Sequence, residues 1–369
     1  MDSTHLNPFA VIQNTRSFPS VSKPKIVGFF SVGSERQYLD TADNLKYLNL
    51  PKPDANGLLR IDLNNGFGTR LPKPASAKQE RIDHLLQFII LNRGKGDSVP
   101  YDFVCFRGLL RMLMCTPYER DSGWIVLASR YKGTIYLCAK DTPEKLRQEA
   151  NETEQQKRFC YYGFKFEQHI LTDEPGSEPN TSAPVSESEE FCSLFSSTLE
   201  GKRILYGAEM DGILPEKPVD RTRIDAALLN GLQFIEVKVK RRETNQRQVD
   251  NFYRYKTIKW WCQSFLVNVQ RIFVGLRNDR GIVDEIREMS LEQIDRDSRR
   301  FWSASVCMAF CAEFLELVRT KMSQVDSPHT VYCFEYRPEK AENVLLSVLE
   351  GCNEESFLPD WYFKAAENE

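Results

Sequence analysis

The chain has no run of about 18 apolar residues, which excludes a membrane-crossing helix, and no membrane partner is expected. Its first residues, MDSTHLNPFA, lack a basic segment followed by an apolar one, so no secretory leader is expected. There are only four histidines, and the ten cysteines include no Cys-x-x-Cys pair. Zinc and a disulfide framework are therefore not expected. Cys307 and Cys311 lie at i, i+4 in an apolar helical run and read as core packing. A reducing compartment, nucleus or cytosol, follows. Charge of one sign is not in excess either: 49 basic against 52 acidic residues give a net charge of −3. That does not favour a nonspecific nucleic-acid coat protein. It leaves room for an enzyme with a local basic groove, because steering depends on where charge sits. Internal repeats are absent.

What is present is a set of acids and one lysine at strand spacing. The string GAEMDG carries Glu209 and Asp211, and FIEVKV carries Glu236 and Lys238. In a strand, residues i and i+2 share a face, so each pair projects together while Met210 and Val237 point away. If the two strands are neighbours, three carboxylates and an ammonium meet in one pocket. Like charges that close need cations, and oxygen-rich sites suit Mg2+ or Mn2+. The bland alternative is an edge strand with alternating surface charges. The apolar approach to FIEVKV (Ala226, Ala227, Leu228, Leu229, Leu232) argues against it. The Asp…Glu-x-Lys layout is similar to that of PD-(D/E)xK nucleases and points to metal-dependent phosphodiester cleavage.

The coarse organisation reads as one α/β domain. Residues 1–20 are polar and expected to be flexible. Strands are expected at Ile26–Ser31, at Gly123–Cys138 around a Lys132-Gly133 turn, and at Thr330–Tyr336 and Asn343–Leu349. Helices are expected over Gln79–Leu91, much of Glu144–Gln168, Val249–Leu266 and Val306–Val318. Residues 171–190, rich in Pro, Ser, Glu and Gly, read as a disordered surface loop inside the domain spanning 21–365. Basic clusters occur at Lys238–Arg242 and at Arg254, Lys256 and Lys259. Lys256, Lys259 or Trp260, and Gln263 share a helix face that could track a nucleic-acid backbone. Arg107, inside an apolar run, needs an anionic partner: a buried carboxylate or an RNA phosphate.

Laid out this way, the chain resembles the DXO family of decapping exonucleases from about Pro19 to about Lys364. The strings ERIDHLL, TPYERDSGW, YGFKFEQ, YRYKTIKWWCQSFL, SVCMAFCAEFL and FLPDWY carry the resemblance. The resemblance implies twisted mixed β-sheets flanked by helices in a single domain, with a D…ExK active site. It implies that Glu167, Glu209, Asp211 and Glu236 hold divalent metal, as two Mg2+ or Mn2+ ions, helped by the carbonyl of Val237. It places the FRG string, Phe106, Arg107 and Gly108, with Lys238 and Gln263 around the scissile and neighbouring phosphates. Arg36, Glu80 and Cys192 become further RNA contacts, and Glu209 joins them. The implied activity is hydrolysis at RNA 5′ ends: removal of incomplete, aberrant or NAD caps, hydrolysis of 5′-triphosphates, and 5′–3′ degradation of monophosphate RNA. A nuclear location, with the cytoplasm second, and a 5′–3′ exoribonuclease partner are also implied. Phe106 stands where the family commonly has tryptophan, Val239 where it has a small hydroxylated residue, and Gly212 follows the E-Φ-D acid. None of these removes a metal ligand. A DNA exonuclease on the same plan and a noncatalytic RNA-end-binding scaffold are the alternatives. The full set of acids argues against the scaffold.

Overall fold

The computed structural model describes residues 2–15, 17–93, 100–215, 217–340 and 343–367. Two mixed sheets organise these residues, one of ten strands and one of seven. In the larger sheet the Lys202–Glu209 strand lies between Glu190–Leu199, antiparallel, and Phe103–Phe106, parallel. In the smaller sheet Phe234–Arg241 runs parallel to Arg271–Arg277. Gly212–Ile213 pairs antiparallel with its first two residues, Phe234 and Ile235. Helices close both sheets. Ala304–Lys321 packs with Arg107–Cys115 over the larger sheet, and Glu154–Ile170 packs on the smaller one. These are the expected twisted mixed sheets flanked by helices.

Alternation decides the local faces. On the Phe234–Arg241 strand, Ile235 and Val237 are buried against Tyr161, Phe166 and Phe273, with Val239 packed beside them. Glu236, Lys238 and Lys240 therefore share the opposite face. Gly275, on the next strand, leaves room for Phe166, since a Cβ there would meet the ring at 2.7 Å. That close approach seats the helix carrying Glu167.

Several expectations change. The N-terminal segment is built into the fold: Asp2–Ser3 pairs with the Leu345–Leu349 strand. Asn7 caps a helix at Pro8–Asn14, and Leu6 and Val11 are buried in the main core. Residues 171–190 are anchored too. Val185 is buried and accepts from Leu71, while Lys165 and Gln168 donate to the carbonyls of Thr181 and Ala183. Long-range bonds to backbone groups join both segments to the rest of the fold. The first helix expected near Gln79 begins at Asp83, after a 3-10 turn at Ala75–Gln79. The aromatic helix expected at Val249–Leu266 divides into Gln246–Asn251, a π-helical turn at Phe252–Lys256, and Thr257–Phe265. All ten cysteines are free, with Cys307 and Cys311 buried as expected.

Candidate active site

The site lies where the chain leaves one sheet for the other. Glu209 ends the Lys202–Glu209 strand of the larger sheet, and Gly212 begins the short strand of the smaller sheet. Asp211 sits in the gap between them. The strand carrying Glu209 is thus no neighbour of the strand carrying Glu236 and Lys238, and the expectation of adjacent strands is corrected. Proximity arises because Gly212–Ile213 pairs only with the start of Phe234–Arg241. Beyond Ile235 the strand edge on that side is open, and the Asp211 carboxylate caps it by accepting the Val237 N–H at 2.6 Å.

Glu236 is the centre of the cluster and is 1% exposed. Its Oε1 accepts from the Lys238 ammonium and from Gln263 Nε2 at 2.5 Å. Its Oε2 faces Arg107 Nη1 at 3.7 Å. Burial opposes ionisation of Glu236, but Lys238 and then Arg107 outweigh it and hold the carboxyl below its usual range. Lys238 also lies 3.8 Å from Asp211. Burial works against the ammonium, yet Glu236 and Asp211 raise its pKa, so it stays charged. The opposite holds for the other three acids. Burial, then the charges of Asp211 and Glu209, push Glu167 well above the carboxylate range. Glu209 is exposed, and its partial desolvation, then Glu190 and Asp211, raise its pKa. Burial, then Glu236, push Asp211 to about 7, against Lys238 and the Val237 N–H. Glu167, Glu209 and Asp211 line one cavity of about 320 Å3.

This donor set fits hard divalent cations. Its side-chain donors are carboxylate oxygens, and desolvation and neighbouring acids make three of the four ionise reluctantly. Among the described residues no three such side chains close into a finished ion cage. The Lys238 ammonium offsets the charge of Glu236 and part of that of Asp211.

Arg107 opens the Arg107–Cys115 helix and is 7% exposed. Its Nη1 is buried without a hydrogen-bond acceptor among the described residues. Of the two partners read from the sequence, the buried carboxylate is partly realised: Glu236 faces the guanidinium, but beyond hydrogen-bond reach. A buried donor left unbonded is costly and points to an anion that completes it. Gly108 follows on the exposed side of the helix, with nothing within 4 Å of an added Cβ.

The other expected RNA contacts form a second pocket of about 260 Å3, lined in part by Arg36, Glu80, Phe106 and Cys192. Arg36 is already engaged. It forms a two-pronged pair with Glu80 and reaches Glu190 at 2.6 Å. Glu190 lines both pockets, accepts from Lys73 at 2.7 Å, and presses on Glu209 electrostatically. Sequence reasoning missed Glu190 and Lys73. The available signal was the antiparallel pairing that sets Cys192 opposite Glu209, with Glu190 two residues away on the same face.

With this geometry in view, the chain matches the family described as RAI1 like PD-(D/E)XK nuclease over residues 22–363. It is 34% identical over 355 residues to the human decapping and exoribonuclease protein, covering 94% of this chain and 86% of that one. It is 33% identical over 356 residues to the decapping and exoribonuclease protein Rai1 of Drosophila melanogaster, covering 94% and 92%. Among solved structures, Candida albicans Rai1 in complex with pU5-Mn2+ superposes with a TM-score of 0.82 at 19% identity, covering 100% of both chains. Scheffersomyces stipitis Rai1 gives 0.79 at 19% identity, covering 96% and 100%. The chain therefore belongs to the RAI1-like PD-(D/E)XK nuclease family.

Proposed function

We propose that the protein is a divalent-metal-dependent hydrolase of RNA 5′ ends. In this reading it removes incomplete, aberrant and NAD caps, hydrolyses 5′-triphosphate ends and degrades 5′-monophosphate RNA in the 5′–3′ direction. The observation that carries it is the Glu236 cluster: a buried carboxylate held by Lys238 and Gln263, facing an unsatisfied arginine and three mutually repelling acids. The names of the human and Drosophila relatives support the decapping and exoribonuclease activities. Rai1 structures hold Mn2+ with pU5, and calcium with (3′-NADP)+, which supports a metal site and a dinucleotide ligand.

Glu167, Glu209, Asp211 and Glu236, with the Val237 carbonyl, would hold two ions, Mg2+ or Mn2+. Such ions would supply a lowered pKa for the attacking water and charge stabilisation at the leaving oxygen. Arg107 completes its hydrogen bonds on a phosphoryl oxygen and so clamps the phosphate against the cluster. Lys238, kept protonated by Glu236 and Asp211, turns its ammonium to the water or to the phosphoryl oxygens as charge develops. Gln263 shares Glu236 Oε1 with Lys238 and limits where the carboxylate can turn. Each proposed reaction is hydrolysis at phosphorus near a 5′ end, so one cluster serves them all. Which bond breaks depends on how far the end enters. Nuclear residence, with the cytoplasm second, and a 5′–3′ exoribonuclease partner belong to the same proposal.

The test is cleavage of 5′-monophosphate RNA with Mg2+ or Mn2+, by wild type and by Glu236→Ala, with excess single-stranded DNA as competitor. Metal-stimulated cleavage that is lost in the variant and resists DNA is expected. Intact RNA in every lane supports the scaffold, and equal loss to DNA supports a DNA exonuclease.

A further inference from the structure

The polar face of the Phe234–Arg241 strand does not end at the active site. After Glu236 and Lys238 it continues to Lys240, about 7 Å farther along the strand. Lys240 lines a separate groove of about 310 Å3. Its opposite wall is the π-helical turn Phe252–Lys256, which feeds directly into the helix carrying Gln263. Lys256 and Gln263 lie two turns apart on that helical run, about 10 Å. Two elements thus lead from the same active-site residues to the same groove.

The groove has the parts that a single strand of nucleic acid needs. Tyr255 is 50% exposed at its rim, although large aromatics are otherwise mostly buried. Phe252 forms the floor, with the Lys240 ammonium 3.7 Å from its ring centroid. Glu243 is the one carboxylate among the lining residues, and Lys240 already pairs with it. Arg241 and Arg242 are paired with Asp279 and with Asp284 and Glu285. Among the described residues no ion pair involves Lys256, which is exposed beside Tyr255. A stacking surface next to an unneutralised cation suits a base and its phosphate. A π-helical turn, rare in itself, is a frequent mark of a functional segment.

We propose that this groove is a nucleotide subsite for the body of single-stranded RNA, downstream of the phosphate being hydrolysed. A downstream base stacks on Tyr255 and its phosphate meets Lys256. The inference rests on the RNA 5′-end reading above, and adds that affinity should grow with strand length through residues outside the metal cluster.

The experiment uses 5′-phosphorylated oligouridylates from a dinucleotide to about ten nucleotides. Cleavage kinetics are read with Mg2+ or Mn2+ for wild type, Tyr255→Ala, Tyr255→Phe and Lys256→Ala. Binding of 3′-labelled strands is followed in parallel by fluorescence anisotropy. In wild type, kcat/KM should rise with length. Tyr255→Ala should lose about tenfold on long strands, carried by KM, with dinucleotide cleavage unchanged and Tyr255→Phe restoring the gain. Lys256→Ala should make the salt dependence of KM shallower by about 0.7 in log–log slope. Both residues are exposed, and a melting curve checks that the variants are folded. Cleavage without length dependence, or with the same length dependence in Tyr255→Ala, overturns the subsite and leaves the proposed function standing. If wild type cuts nothing, the proposed function fails. Length-dependent binding lost in Tyr255→Ala then still supports the groove, and binding indifferent to length or to the substitution overturns it.

Discussion

The acids that would hold metal make the metal-free protein sensitive to alkali, and the effect has a definite sign. Asp211 moves from its ordinary value of 3.8 to about 7 in the folded chain, and Glu167 lies well above its usual range. In each case burial is the first cause and neighbouring carboxylates follow. A raised folded pKa means that the native state binds more protons than the unfolded chain, so stability falls with rising pH. The contribution of the protonated acids is complete below about pH 4 and is lost as pH rises through about 7. Each tenfold change in proton affinity corresponds to ~1.4 kcal/mol. With relief from Lys238 and cavity water discounted, ionising Asp211 costs about 2 kcal/mol. Divalent cations reverse this cost, because they bind the ionised form and displace whatever protons remain. At pH 8 few protons remain to be displaced. At pH 6 each displaced proton weakens binding by about tenfold. The Tm gain from saturating Mg2+ or Mn2+ over EDTA at pH 8 should therefore exceed the gain at pH 6 by about 2 °C per displaced proton. Scanning fluorimetry at the two pH values reads this directly, with Asp211→Asn as control. The variant should be more stable than wild type in EDTA at pH 8 and should lose most of the metal gain. Equal metal gains at both pH values, or an undiminished gain in Asp211→Asn, would refute the reasoning.

Arg107→Leu should lower kcat by about 100-fold or more, since it removes a donor aimed at the phosphoryl group. Because its charge helps keep the buried Glu236 ionised, Tm should fall as well, and Arg107→Lys should recover much of the stability without full activity. Steady-state kinetics and a melting curve together check this. Gly275→Ala should destabilise by about 1–3 kcal/mol, read by urea unfolding, because its Cβ would strike the Phe166 ring. The shift carries to Glu167, so the metal-induced Tm gain should shrink as well. Arg36→Ala should cost on the order of 3 kcal/mol in the same urea assay, because Glu80 and Glu190 lose their shared cation. An unchanged midpoint would return Arg36 to a purely RNA-facing role.

The sequence made the pairing of Glu236 with Lys238 legible because strand alternation is local: the residues that define the face lie within one strand. Burial of Cys307 and Cys311 and the hairpin at Lys132-Gly133 were legible for the same reason. Asp211 came out close to Glu236 and Glu209 beside Asp211, but not as a two-residue repeat on an adjacent strand. The chain changes sheets between them, and nothing in GAEMDG marks that crossing. The enclosure of Arg36 by Glu80 and Glu190 joins segments far apart in the chain, beyond any periodicity. Residues 2–15 and 171–190 read as polar because composition counts apolar side chains and not backbone bonds. Their anchoring is mostly by backbone bonds and a few residues such as Val11 and Val185. Placing Glu167, in a helix otherwise read as surface, required the family resemblance. Its charge becomes chemically meaningful only beside Asp211 and Glu209.

The most direct test of the central claim uses one RNA body with three 5′ ends: monophosphate, triphosphate and NAD cap. Each is incubated with Mg2+ or Mn2+ and either wild type or the Glu236→Ala, Asp211→Ala double variant, and the released products are resolved by size. Metal-dependent release by wild type alone is expected, with relative rates naming the preferred end. No release from any end, with RNA binding intact, would contradict the account and leave the four acids as a structural relic on a scaffold.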